Sequence, residues 1–185
     1  MIEFCCGENS KLGQKGVYAE SRGCNVVRVT EANDVTTEQG LKFVENIIEE
    51  CHCPSTILFA AMPCTGGSPW GNINVHKPGG AARLRRHVKT FHKIWRAFTT
   101  CARKLAAKGG FIAIEWPRGC RYCRFDFVID FLEELDLTRV TFDGCMIGLR
   151  SILNGKPIKK PWCMATNCQD LIESFHELHL SLIHI

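Results

Sequence analysis

A chain of 185 residues with 45% hydrophobic and 23% charged residues is long enough for one well-buried core and shows none of the bias of a disordered segment. A formal charge of +4, no apolar run of membrane-spanning length and no charged leader ahead of an apolar core lead to the expectation of an intracellular domain without a membrane partner. Twelve cysteines are many for such a chain and would remain thiols in a reducing compartment; Cys51-x-Cys53 and Cys120-x-x-Cys123 lack a second pair at finger or ribbon spacing, so no metal is expected.

Residues 2–6 read as a first strand running into Gly7-Glu-Asn-Ser-Lys-Leu-Gly13, a turn that lets a ligand approach backbone amides, and a short helix is expected through Tyr18 to Ser21. A second strand over 25–30 ends at Glu31. An acid there is either a solvated surface group or, as in nucleotide-binding α/β folds, an acceptor for ribose hydroxyls. Asp34-Val-Thr-Thr-Glu38 opens a helix with Thr36 or Thr37 as cap; Leu41, Val44, Ile47 and Ile48 fall on one face, and Pro54 bars its continuation.

The short apolar stretch 55–61 suits a buried parallel strand, and the loop after it, Met62-Pro-Cys-Thr-Gly-Gly-Ser68, would then lie at the carboxyl edge of the sheet. A thiol presented there on a proline-fixed backbone, with Gly66 and Gly67 leaving room for close approach, makes Cys64 either a nucleophile or simply a buried cysteine. From Val75 to Ile114 there is no acid, while Lys77, Arg83, Arg85, Arg86, Lys89, Lys93, Arg96, Arg103, Lys104 and Lys108 are basic; Leu84, Val88, Phe91, Ile94, Trp95, Phe98 and Leu105 give that helix one apolar face. The charged face is read as either merely solvated or turned toward a polyanion.

Residues 111–114 form the next expected strand, terminated by Glu115-Trp-Pro117, which would leave the Glu115 carboxyl at the sheet edge shared with Cys64, partly desolvated and able to hold a proton. A helix over 125–135 follows, then strands over 139–145 and 161–166 joined by a basic loop with an Asn154-Gly155 turn, and a closing helix over 168–179. The order implies an α/β fold with a parallel sheet and a late antiparallel pair at its far edge.

Taken in order, Phe4-Cys-Cys-Gly7, Val26-Val-Arg-Val29, Asp34-Val35, Met62-Pro-Cys-Thr65, Ile114-Glu-Trp-Pro117 and Gly144-Cys-Met-Ile-Gly148 with Lys159-Lys-Pro161 resemble the motif series of the compact, phage-like cytosine-C5 DNA methyltransferases. The resemblance implies a single-domain, Rossmann-like class I methyltransferase fold over residues 1–179 and S-adenosyl-L-methionine as cofactor. It implies Cys64 as the nucleophile toward C6 of cytosine and Glu115 as the acid holding the base. Phe4, Cys6, Gly7, Glu31, Asp34 and Pro63 would line the cofactor; Thr65, Arg83, Arg85, Arg86, Lys159 and Lys160 would meet DNA.

Trp116 stands where that family has Asn, one helix occupies the span from Thr30 to Ser55 where a further strand and helix are implied, and no segment has the length of a target-recognition domain. Specificity would then come from a separate domain or protein, or be low. RNA in place of DNA, and a silent nucleic-acid-binding domain, remain alternatives. The final residues 180–185 resemble translated sequencing-adapter read-through and are expected to be non-native, and either end of the chain is open to truncation.

Overall fold

The computed structural model of the chain describes residues 1–10, 12 and 24–181. Strands β1 (Ile2–Phe4), β2 (Val27–Val29), β3 (Ile57–Ala60), β4 (Phe111–Pro117), β5 (Thr138–Asp143) and β6 (Pro161–Thr166) form one sheet in the order β2-β1-β3-β4-β6-β5. The first four run parallel, whereas β6 is antiparallel to both β4 and β5. Helices α1 (Glu38–Glu50), α2 (Pro69–Asn74), α3 (Gly80–Ala107), α4 (Asp126–Glu134) and α5 (Gln169–Ser181) complete the α/β architecture. No helix among the described residues is long and apolar enough to cross a membrane.

Alternation along the strands divides the core. Ile2, Phe4, Leu58, Ala60, Ile112, Ile114 and Trp116 face α1, α3 and α4, while Phe59, Ala113, Val140, Phe142 and Met164 pack with Leu171, Ile172 and Phe175 of α5. Helices on both faces of the parallel strands are the usual way to bury a sheet whose strands read as continuous apolar runs.

Local chemistry accounts for the helix limits. Thr37 caps α1 by accepting from the Gly40 N–H at 3.1 Å, Glu38 lies in the first turn, and Val44 and Ile48 are the buried positions. An alanine at Gly40 would bring its Cβ within 2.0 Å of the Asn33 carbonyl oxygen, so only glycine permits the helix to start against that turn. At the far end of α3 the Gly109 N–H donates to Ala106 O and the Gly110 N–H to Leu105 O, with Gly109 at φ 79°, a left-handed termination.

Most sequence expectations are met to within a few residues, and two are revised. Strand β4 does not stop at Ile114: β6 supplies ladder partners Met164, Cys163 and Trp162 for Glu115, Trp116 and Pro117, so the carboxylate stands inside the sheet. Residues 30–56 hold α1 and two short 3-10 turns but no strand, in keeping with the single helix read there from the sequence. Helix α2 was not expected, since a six-residue segment rich in small polar residues carries no periodic signal. The helix expected through Tyr18 to Ser21, and residues 182–185 of the tail, lie outside the described residues.

Phe98 is fully buried at the centre of the larger core, edge-on to Phe4 at 5.5 Å and to Phe131 at 5.9 Å. Phe98→Ala is expected to lower unfolding stability by about 3–5 kcal/mol, measured by urea titration with an unchanged slope.

Candidate active site

The carboxyl ends of β1, β2 and β3 open onto one cavity of about 710 Å³. Its walls include Cys6 and Gly7 after β1, Glu31 and Asp34 after β2, and Pro63 after β3, five of the six residues expected around a cofactor. The sixth, Phe4, is a correction: its ring is fully buried against Phe98, because strand alternation points it into the core. The structure adds Thr30, Thr36, Thr90 and Ile94. Of these, Ile94 was visible as part of the apolar face of α3, whereas the threonines have no periodic signature.

Several backbone features shape that cavity. Cys5 leaves β1 in the left-handed region at φ 60°, uncommon for a residue with a side chain and found where surrounding structure imposes it. Burial, with the Cys6 thiol beside it, pushes the Cys5 thiol up to about 12, so it is a neutral wall. Asp34 accepts from the Thr36 hydroxyl at 2.8 Å and the Thr36 N–H at 3.0 Å, and those hydrogen bonds hold its carboxyl below the usual range, assisted by Lys93. Asp34 is therefore a fixed negative charge on the rim.

The loop after β3 turns at Cys64, whose carbonyl accepts from the N–H groups of Gly67 and Ser68, both at 2.8 Å. Gly66 and Gly67 press against the 3-10 segment Arg121–Arg124: a Cβ at Gly66 would stand 2.2 Å from the Tyr122 hydroxyl oxygen, and one at Gly67 2.6 Å from the Cys120 sulfur. The two glycines thus let the Cys64 loop seat on Tyr122 and Cys120. Tyr122 stacks on Phe91 at 3.9 Å, its hydroxyl is buried against Gly66, and burial raises its ionisation to about 12. Sequence reasoning missed Tyr122, because Cys120-x-x-Cys123 was weighed only as a metal pair.

Glu115 is half-buried, and its Oε1 is enclosed without a hydrogen-bond partner. Desolvation raises its carboxyl above the ordinary range, with Lys160 acting in the opposite direction. Desolvation also raises the Cys64 thiol, followed by the neighbouring Cys120 and Glu115, against its backbone hydrogen bonding and Lys160. The Glu115 carboxylate thus acts on the Cys64 thiol, and the Lys160 cation acts on both. Cys120 is drawn down by a hydrogen bond from Cys123, whose own thiol is pushed up. Among the described residues, no group of three or more His, Cys, Asp or Glu side chains is arranged to hold a metal ion.

The basic run of α3 divides in two. Arg103 forms a bidentate pair with Glu134 at 2.6 and 2.7 Å, Lys104 pairs with Glu45 at 2.6 Å, and Lys108 pairs with Glu49. These three cations tie α3 to α4 and α1, so at this end of the run the charges are taken up by surface ion pairs. Toward the amino end, Lys77, Arg83, Arg85, Arg86, Lys89, Lys93 and Arg96 have no carboxylate within ion-pair distance among the described residues.

Arg83 and Thr65 line one hollow of about 320 Å³ with Lys77 and His87, so the structure joins the Cys64 loop to the basic helix. Arg85 lines a neighbouring hollow with Lys89, His92 and Arg121, while Arg86 is exposed and lines neither. Lys159 pairs loosely with Asp143 at 3.6 Å, and the Lys160 ammonium lies over the Trp162 ring at 4.6 Å. Trp116 is a core anchor, 1% exposed and tilted against Trp95 at 6.1 Å.

No protein-family model matches the chain, and neither a curated protein nor a solved structure shows significant similarity to it.

Two measurements probe the electrostatics. Because burial raises the Cys64 ionisation above that of an ordinary cysteine, its alkylation by iodoacetamide, followed peptide by peptide in a mass spectrometer, is expected to keep accelerating at alkaline pH after that of a solvent-exposed cysteine has levelled off. Lys160→Ala should slow it at pH 8 by less than about tenfold, one unit of pKa being a factor of ten. For Glu115 the folded-state pKa exceeds the unfolded one, so folding is penalised as pH rises through that interval and not below it. Glu115→Gln is therefore expected to raise Tm near pH 8, by about 2–4 °C for each kcal/mol regained, with the advantage vanishing at pH 4.

Proposed function

We propose that this chain is an S-adenosylmethionine-dependent methyltransferase acting on C5 of cytosine in DNA. The observation that carries the proposal is the pairing of two features at one sheet edge: a cavity of about 710 Å³ walled by Cys6, Gly7, Glu31, Asp34 and Pro63, and, beyond β3 and on β4, a thiol and a desolvated carboxyl near enough for the carboxylate to raise the thiol. The topology supports it as well. Four parallel strands followed by a late antiparallel pair agree with a Rossmann-like class I methyltransferase sheet lacking one outer strand.

The cavity fits the cofactor chemically. Its volume is within the range of small-ligand sites, Glu31 and Asp34 offer acceptors for hydroxyl and amine donors, and open space around Gly7 allows a ligand onto the backbone. When bound, S-adenosylmethionine supplies an electrophilic methyl group on a sulfonium. The residues of the chain do the rest. Cys64, as thiolate, adds to C6 of an extruded cytosine and renders C5 carbanion-like; Glu115 holds N3 and the exocyclic amine; loss of the C5 proton after methylation expels Cys64. Lys160 favours the thiolate, and Thr65 with Arg83, Arg85 and Arg86 extends the site toward phosphate. An intracellular setting, which keeps Cys64 reduced, and a separate domain or protein supplying sequence specificity belong to this reading.

The raised Cys64 thiol favours a second reading, a catalytically silent nucleic-acid-binding domain of the same architecture, since little thiolate exists at neutral pH. RNA would meet the same basic surface as DNA. Incubation with S-adenosylmethionine and DNA containing 5-fluorocytosine separates these readings, because fluorine cannot leave as a cation. A denaturation-resistant adduct of protein, base and methyl group at Cys64, lost in Cys64→Ser while salt-dependent DNA binding persists, is the expected outcome. Turnover retained by Cys64→Ser would remove the mechanism, and an adduct formed only on RNA would change the substrate.

A further inference from the structure

Between β5 and β6 the chain leaves the sheet at the end where Cys64 and Glu115 lie. After a 3-10 turn over Gly144–Ile147, residues 149–158 fold into a closed hairpin. The Ile158 N–H donates to Leu149 O at 2.9 Å, the Ser151 N–H to Lys156 O at 2.8 Å and the Gly155 N–H to Ser151 O at 2.8 Å. Gly155 makes the turn at φ 66°, and the Arg150 guanidinium donates to its carbonyl at 3.2 Å. The tip is thus built rather than slack.

What the tip presents is unusual. Ile152 is 103% exposed and Leu153 is 95% exposed, two aliphatic side chains held out into water by a hydrogen-bonded turn. Around them stand Arg150, Lys156, Lys159 and Lys160, with no acid between Asp143 and Asp170. At the base of the hairpin, Lys160 is the cation that opposes the rise of both Cys64 and Glu115.

Isolated surface apolar residues need no explanation, but an adjacent pair at the apex of a braced, wholly basic projection from the sheet edge that carries Cys64 and Glu115 does. A protein partner is a poor occupant: two side chains offer far less than the roughly 800 Å² per side that a stable protein interface buries. A polyanion with an apolar interior matches both features, and a nucleic-acid duplex is one, with phosphates outside and stacked bases within.

We propose that this hairpin is a wedge for duplex DNA, with Ile152 and Leu153 entering the base stack where a cytosine is extruded toward Cys64. Arg150 and Lys156 meet the flanking phosphates. The inference rests on the nucleic-acid reading of the site and adds the element that opens the duplex.

The test is the double variant Ile152→Ser/Leu153→Ser, whose positions are solvent-exposed, so an unchanged Tm is expected. Methyl transfer from labelled S-adenosylmethionine is measured on duplex and on single-stranded DNA of the same sequence. A wedge predicts a loss of roughly tenfold or more on the duplex and little change on the single strand, where nothing has to be unstacked. Unstacking is followed separately by the fluorescence of 2-aminopurine in a duplex, which the native protein should raise and the variant should not. If the native protein methylates neither DNA yet still raises that signal through Ile152 and Leu153, the wedge stands and the enzymatic reading fails. Equal losses on both DNAs, or a variant that matches the native protein in transfer and fluorescence, overturn the wedge. So does unchanged behaviour on DNA accompanied by loss of binding to anionic lipid vesicles or of self-association, which would assign the tip to a membrane or a second copy.

Discussion

Glu115 occupies a strand because β6 runs antiparallel beside β4 and pairs with Glu115, Trp116 and Pro117 in succession. A carboxyl side chain so placed has its backbone clamped on a ladder and its head group partly withdrawn from water, which raises its proton affinity without any engineered partner. The same pairing sets Trp116 into the core against Trp95 and fixes where the hairpin carrying Lys159 and Lys160 must return to the sheet. Acid, cation and hairpin therefore share one origin, the register of a single antiparallel pair.

Helix α3 serves the core and the surface at once. Its apolar stripe of Phe91, Ile94, Trp95, Phe98 and Leu105 covers the sheet, and Phe91 holds Tyr122 beneath the Cys64 loop. Its charges are divided by what lies beside them. Where α1 and α4 pass close with Glu45, Glu49 and Glu134, lysine and arginine are used as surface ties of modest worth; toward the amino end, where no carboxylate among the described residues lies within ion-pair distance, they are left to water and to the hollow shared with Thr65.

The Cys64 environment sets burial against charge. Withdrawing the thiol from water and placing Cys120 and Glu115 near it suppress ionisation, while backbone hydrogen bonding and Lys160 favour it. A thiol placed in this way depends on its surroundings for its ionisation, since neutralising Glu115 would shift the balance toward thiolate. Close seating of Gly66 and Gly67 on Tyr122 and Cys120 leaves little freedom to relax that arrangement by moving the loop.

Much of this was legible in the residues alone. The order of strands and helices, the apolar stripe of α3, the termination of α1 ahead of Pro54, and the positions of Cys64, Glu31, Asp34 and Pro63 beyond strand ends follow from local periodicity and from proline and glycine, whose effects act within a few residues. Tertiary structure decided the rest because it depends on partners distant in the chain. β6 extended β4 past Ile114 and drew Glu115 into the sheet; strand alternation turned Phe4 away from the cavity it was expected to line; acids on α1 and α4 claimed Arg103, Lys104 and Lys108. Tyr122 under the Cys64 loop and the bare apolar tip at Ile152 and Leu153 have no local signature, since burial and exposure are properties of the packed chain and not of the residue.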